Sequence, residues 1–189
     1  MTDLAIIDDK QGIEKEENDS FEAASYEVIP PKDVFVYNEL RSCADLVRLV
    51  NEGTLNIKPD FQRNIVWNNS QQTEFIDSLV KQLPIPSMCF SLDPSTQTRL
   101  VIDGLQRIST ITKFLNEKDW RLAKSDGISK NLAGKTVHEI EKENPTLYKL
   151  VQNTSIPVTI VHCDKNKSEH MEYLFMIFHR LNKSGTKLY

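Results

Sequence analysis

The sequence predicts an α+β domain, a small mixed β-sheet packed by helices. Three observations carry that expectation. Arg99-Leu100-Val101-Ile102 is a short aliphatic run that turns through Asp103-Gly104 straight into a helical spacing at Leu105, Ile108, Ile111 and Leu115. Two further stretches, 69–83 and 168–181, carry apolar residues at helical intervals. Between them lie runs too short for helices and rich in strand formers, such as Val158 to His162.

Taken in order, residues 1 to about 30 read as an acidic, disordered arm that ends at Pro30-Pro31. Nine acids against two lysines give the first 27 residues a net charge of −7. That leaves +3 for the remainder of a chain whose formal charge is −4. A mildly basic body suits a polyanionic ligand but falls short of a nucleic-acid patch. Residues 31–189 form one domain, since this length supports a single sizeable core. Its 39% hydrophobic and 26% charged content is that of a soluble globular protein.

Asp33 to Tyr37 is the first predicted strand. A helix follows over about 43–51, capped by Ser42, with Asp45 in its first turn and Gly53 ending it. Leu55-Asn56-Ile57 is a short strand, and Pro59 to Arg63 leaves it as a loop. Asn69 to Leu83 is an amphipathic helix with Phe75, Ile76, Leu79, Val80 and Leu83 on one face, closed by Pro84-Ile85-Pro86. Met88 to Leu92 is a strand that turns through Asp93 to Gln97 into the 99–102 strand, a hairpin. Trp120 to Leu122 is a weak strand candidate, 124–135 is a polar loop, and 136–152 is helical with a break at Pro145. The last helix, 168–181, is expected to bury Met171, Leu174, Phe175, Phe178 and Leu181, and Asn182-Lys183-Ser184-Gly185 stops it.

The chemistry concentrates at the strand–turn–helix of 99–115. A helix that starts directly after a strand leaves free N–H groups and a positive dipole end at the turn, which suits an anion. Arg107 leans towards the apolar side at this helix start, where a cation is poorly placed for the dipole and costly to bury alone. It therefore needs an anion, from the protein or from a ligand. Two readings of Asp103 and Gln106 stay open: a D-x-x-Q capping box with no function, or a pair of side chains facing a phosphate cleft. The cysteines, Cys43, Cys89 and Cys163, show no C-x-x-C and read as buried thiols in a reducing cytoplasm. The four histidines have no zinc-ligand spacing. No run of the sequence is long and apolar enough to span a membrane, and the acidic amino terminus is no signal peptide.

Three segments, in order, resemble one prokaryotic family. Val101-Ile102-Asp103-Gly104-Leu105-Gln106-Arg107 is similar to an Asp-Gly-Gln-Gln-Arg signature, with Leu105 departing from the second glutamine. Asp60-Phe61-Gln62-Arg63-Asn64-Ile65-Val66-Trp67 resembles its early aromatic-Gln-Arg segment. Ile177 to Leu188 resembles its late F-x-R-L-N segment. The family supplies the amino-terminal, GmrS-like domain of GmrSD-type modification-dependent restriction enzymes and related anti-phage proteins, similar in fold to the ParB/sulfiredoxin superfamily.

The resemblance implies a nucleotide-binding and nucleotide-hydrolysing regulatory domain. Asp103, Gln106 and Arg107 would be catalytic, with Asp103 holding Mg2+. Gln62, Arg63, Gly104, Arg180 and Asn182 would bind the nucleoside triphosphate. The alternative is a non-catalytic DNA-sensing module. A sulfiredoxin-type activity is excluded because it needs a cysteine in the phosphate loop and none lies near Asp103. Family domains continue into further helices and often a carboxy-terminal nuclease domain or subunit. The chain is therefore expected to be a domain cut from a longer protein.

Overall fold

The computed structural model describes residues 29–57 and 67–185, with side chains up to Leu181. Five strands and six helices follow one another along it: β1 (Phe35–Ser42), α1 (Cys43–Asn51), β2 (Leu55–Asn56), α2 (Asn69–Val80), β3 (Met88–Leu92), β4 (Arg99–Asp103), α3 (Leu105–Asn116), α4 (Val137–Glu143), α5 (Pro145–Asn153), β5 (Ser155–His162) and α6 (Ser168–Gly185). The fold is α+β, with one mixed sheet ordered β1-β5-β3-β4-β2.

β3 sits at the middle of the sheet, and every one of its residues is buried. It runs parallel to β5 and antiparallel to β4, which makes 88–103 the expected hairpin. Alternation along the strands divides the interior in two. Phe90, Leu92, Val101, Val158 and Ile160 face the larger core, built with Leu46, Ile76, Leu79, Ile108, Ile111, Phe114 and Val151 of helices α1 to α5. Cys89, Ile102 and Val161 face the other way and meet Leu174 of α6, with Ile177 and Phe178 packed alongside.

Local sequence accounts for most boundaries. The Ser42 side chain accepts the Asp45 N–H and caps α1. Asn68 and Gln71 form a reciprocal capping box at α2, and Thr136 and Glu139 form one at α4. Pro145 occupies the first turn of α5, where its missing N–H costs nothing, so the chain stops one helix and starts the next.

Five expectations need correction. β1 extends to Ser42 because it pairs with β5 along its whole length, whereas the local pattern ends at Tyr37. Trp120 to Leu122 forms only the single bridge Arg121↔Thr136. Leu83 lies beyond the end of α2 and is exposed. On α6, Phe175 and Leu181 are exposed, because among the described residues one helix lies on this side of the sheet and buries only part of its apolar stripe. That helix also runs through 182–185 instead of stopping at Leu181.

The start of α6 is pinned to the sheet end. His170 is buried; its Nδ1 accepts the Asp164 N–H at 3.0 Å and its Nε2 faces Asp33 at 2.9 Å. Asp33 is also paired with Lys167. The bond from Lys167, then that from His170, lowers the Asp33 carboxyl from its usual 3.8 to about 2. Asp33, Glu169 and His170 form the one group among the described residues with metal-holding composition and spacing. Both imidazole nitrogens are already engaged by protein atoms, so this group is a clamp on the helix start.

Candidate functional site

The strand-to-helix turn is built on Gly104. Its φ of +99° is a left-handed conformation that side chains rarely adopt. A Cβ on it would stand 2.8 Å from Cγ of Met88, which is itself fully buried. Gly104 is therefore the residue that lets β4 turn directly onto the core and enter α3.

Gly104 is also the N-cap of α3, and no side chain caps that helix. The D-x-x-Q capping box is thus corrected: Asp103 still belongs to β4, and the left-handed glycine carries the chain past the geometry a capping box requires. α3 keeps the positive end of its dipole, and by helix geometry its first-turn N–H groups have no intrahelical acceptor.

Arg107 reaches back across this turn. Its Nη2–H donates to Asp103 Oδ2 at 2.7 Å and to the Ser87 carbonyl at 3.3 Å, while Nη1–H donates to the Pro86 carbonyl. The Arg107 side chain is 14% exposed and that of Asp103 32%, so the pair lies at the rim of the fold. Of the two sources of anion open to Arg107, the protein supplies one. The guanidinium ties the entry to β3, the end of β4 and the start of α3 to one another.

Gln106 is held differently. Its Oε1 accepts the backbone N–H of Trp67 at 3.1 Å. The carbonyl of Trp67 in turn accepts Gln72 Nε2 at 3.3 Å, and Gln72 Oε1 accepts from Lys113 Nζ at 3.0 Å. Lys113 lies over the Trp120 ring, 4.6 Å from its centroid. The backbone of Trp67 is thereby fixed at both its N–H and its C=O between α2 and α3, and its ring packs on Phe75 with centroids 5.6 Å apart. Gln72 and Lys113 had no part in the sequence reading. The only local signal for them is that Gln106, Thr110 and Lys113 recur at i, i+4 and i+7 on α3, and the Thr110 hydroxyl bonds the Gln106 carbonyl at 2.7 Å.

Asp103, Gly104, Gln106 and Arg107 therefore form one cluster at a single turn. Arg180 is exposed on α6. Asn182 falls in the last turns of α6, and its side chain lies outside the described residues, as do Gln62 and Arg63. Asp103 belongs to no group of three metal-holding side chains among the described residues. Its carboxylate is paired with Arg107, so a magnesium ion held there would need its other ligands from water and phosphate oxygens. The three thiols are free and buried, and burial raises Cys43 and Cys89 to about 12 and Cys163 to about 11, which suppresses their reactivity.

Comparison with known families places this turn in context. The family model described as "GmrSD restriction endonuclease, N-terminal domain" matches residues 44–189. No curated protein and no solved structure matches the chain. No helix among the described residues is long and apolar enough to cross a membrane.

Proposed function

We propose that this chain, which belongs to the GmrSD restriction endonuclease N-terminal domain family, binds a nucleoside triphosphate at the start of α3 and hydrolyses it to regulate a cytoplasmic restriction or anti-phage system. The observation that supports this reading is the way α3 begins. Gly104 leaves the helix without a side-chain cap, and a cation, Arg107, sits in the same turn beside the carboxylate of Asp103. Main-chain N–H groups at a helix start and a forked guanidinium are complementary to phosphate oxygens.

On this reading the Asp103–Arg107 pair is the closed form of the site. Phosphate takes over the guanidinium from Asp103, and Asp103 becomes available to hold Mg2+ or orient the attacking water. Gln106 fixes the Trp67 backbone at the same turn. Gln62, Arg63, Arg180 and Asn182 would complete the charge balance, as the family signature implies. Cleavage of DNA would belong to a nuclease domain or subunit outside this chain.

The test is thermal stability with each of the four nucleoside triphosphates, with and without magnesium, alongside phosphate release. At a hundredfold excess over the dissociation constant, binding stabilises by about 2.7 kcal/mol. For a domain of this size that raises Tm by roughly 5–10 °C. Absence of a shift with every nucleotide sinks the proposal. A shift with duplex DNA alone supports the non-catalytic DNA-sensing alternative.

A further inference from the structure

An edge strand presents unpaired backbone N–H and C=O groups. Proteins usually blunt such edges by keeping them short, bulged, charged or covered. One edge of this sheet follows that practice, since β2 is two residues long. The other does not. β1 runs eight residues at the edge, and its pairing with β5 is unbroken from Phe35↔His162 to Ser42↔Ser155. Large apolar side chains stand exposed on both its faces. Val36 and Leu40, 52% and 73% exposed, share the side of Val161 and Pro157, and Phe35 and Tyr37 lie on the side of Ile160. Its two charges, Glu39 and Arg41, are bonded to each other at 2.8 Å.

We propose that β1 pairs antiparallel with β1 of a second copy of this chain, across a two-fold axis at Asn38, joining two five-stranded sheets into one. The register follows from complementarity. A two-fold axis perpendicular to the sheet keeps the helical layers of both copies on the same side. It therefore requires odd residues to face odd ones and even to face even. An axis at Glu39 opposes two carboxylates, which is unfavourable. An axis at Tyr37 carries Leu40 past the partner strand, opposite Val34, which precedes β1.

An axis at Asn38 places Val36 opposite Leu40 twice, uniting the exposed aliphatic side chains on one face. On the other face it sets Phe35 opposite Arg41, a ring against a guanidinium, and Tyr37 opposite Glu39. Asn38 meets its own copy. Its Oδ1 accepts Thr159 Oγ1 at 2.9 Å within one chain, which leaves its amide group directed to the partner. No like charges are opposed, and every residue from Phe35 to Arg41 gains an apolar, polar or cation–aromatic partner. This pairing is independent of nucleotide binding and is tested without nucleotide.

Asn38→Cys in the full chain tests the register. Directly opposed residues of an antiparallel pair have Cα atoms about 4.5–5.5 Å apart, within disulfide reach. Mild oxidation should convert this variant to a covalent dimer. Leu40→Cys, whose two copies would lie four residues apart along the strands, roughly 13 Å, should cross-link at least about tenfold more slowly. The native thiols are buried and do not compete. Sedimentation of the unmodified chain should show a dimer that grows with concentration. Leu40→Lys should weaken it about tenfold or more, and should leave Tm unchanged at dilutions where both proteins are monomeric. Equal cross-linking at both positions, a dimer indifferent to Leu40→Lys, or a monomer at every concentration overturns the proposal. A monomer that dimerises only after residues 1–28 are deleted also overturns it, and assigns the edge to the chain's own amino-terminal segment.

Discussion

Two helix starts lie side by side in this molecule and are built in opposite ways. α2 closes itself. The Asn68 side chain accepts the Gln71 N–H and the Gln71 side chain accepts the Asn68 N–H, each at 3.0 Å. α3 begins at a left-handed glycine with no side-chain cap. Its first-turn side chains are committed elsewhere: Gln106 to the Trp67 backbone, Arg107 to Asp103 and the carbonyls of Pro86 and Ser87. Both starts grip the same residue, since Gln72 of α2 holds the other side of the Trp67 peptide. A self-capped start satisfies two of its N–H groups with its own four residues and needs no distant partner for them. A start held by tertiary bonds uses its side chains to lock neighbouring segments, and its main-chain N–H groups are what it can offer to an anion.

The comparison breaks most easily at Gly104. Gly104→Ala forces a side chain into φ +99° and within 2.8 Å of the buried Met88 side chain. Left-handed strain and overpacking together should cost about 2–5 kcal/mol, read from urea unfolding. Gly53→Ala is the control, because Gly53 has φ +72° and open space where a Cβ would stand. It should show the backbone cost alone, about 1 kcal/mol. Equal losses at the two glycines would show that the Met88 contact is not what fixes the turn.

Arg107→Ala should come next. Its anion is internal in the nucleotide-free fold, so truncation strands the Asp103 carboxylate and two carbonyls at the rim, at about 1–3 kcal/mol. The same variant should lose any nucleotide-induced rise in Tm. A neutral or stabilising effect on the nucleotide-free protein would mean that the pair contributes nothing to the fold and that only a ligand makes use of the guanidinium. A double-mutant cycle with Asp103→Asn isolates the pair itself.

The smallest effect sharpens the comparison from the α2 side. Asn68→Ala should cost about 1 kcal/mol, the usual loss of an N-cap, and should leave nucleotide-induced stabilisation intact. Gln106→Ala should cost no cap, and should instead loosen the Trp67 peptide, visible as faster hydrogen exchange of the Trp67 amide. If Gln106→Ala leaves that amide protected, the bond to Trp67 does not hold the segment in solution.

Much of this was legible in the sequence where one segment decides the outcome. The Ser42 cap, the break at Pro145, the hairpin of β3 and β4, and the passage of β4 through Asp103-Gly104 into a helix depend on residues within a turn of one another. So does the need of Arg107 for an anion, which follows from its angular position on α3. The three ordered motifs carried the family assignment, because spacing between segments is itself written along the chain. The sequence could not show which anion Arg107 uses, because Pro86 and Ser87 lie some twenty residues upstream and reach it only when β3 and β4 pair. It could not separate a capping box from an uncapped start at Asp103 and Gln106, because the D-x-x-Q spacing is the same in both. The left-handed turn at Gly104, wedged on Met88, decided that question.

What the sequence determined alone is the set of elements, because helical periodicity, strand alternation and turn residues act over a few positions. What only the tertiary structure decided is where each side chain spends its bonding capacity. Phe175 and Leu181 share a helical stripe with the buried Leu174 yet are exposed, because among the described residues a single helix covers that face of the sheet. Val36 and Leu40 are exposed on β1, which has no strand beyond it among the described residues. Burial is a property of neighbours, and the neighbours are chosen by the sheet order β1-β5-β3-β4-β2, which no local pattern encodes.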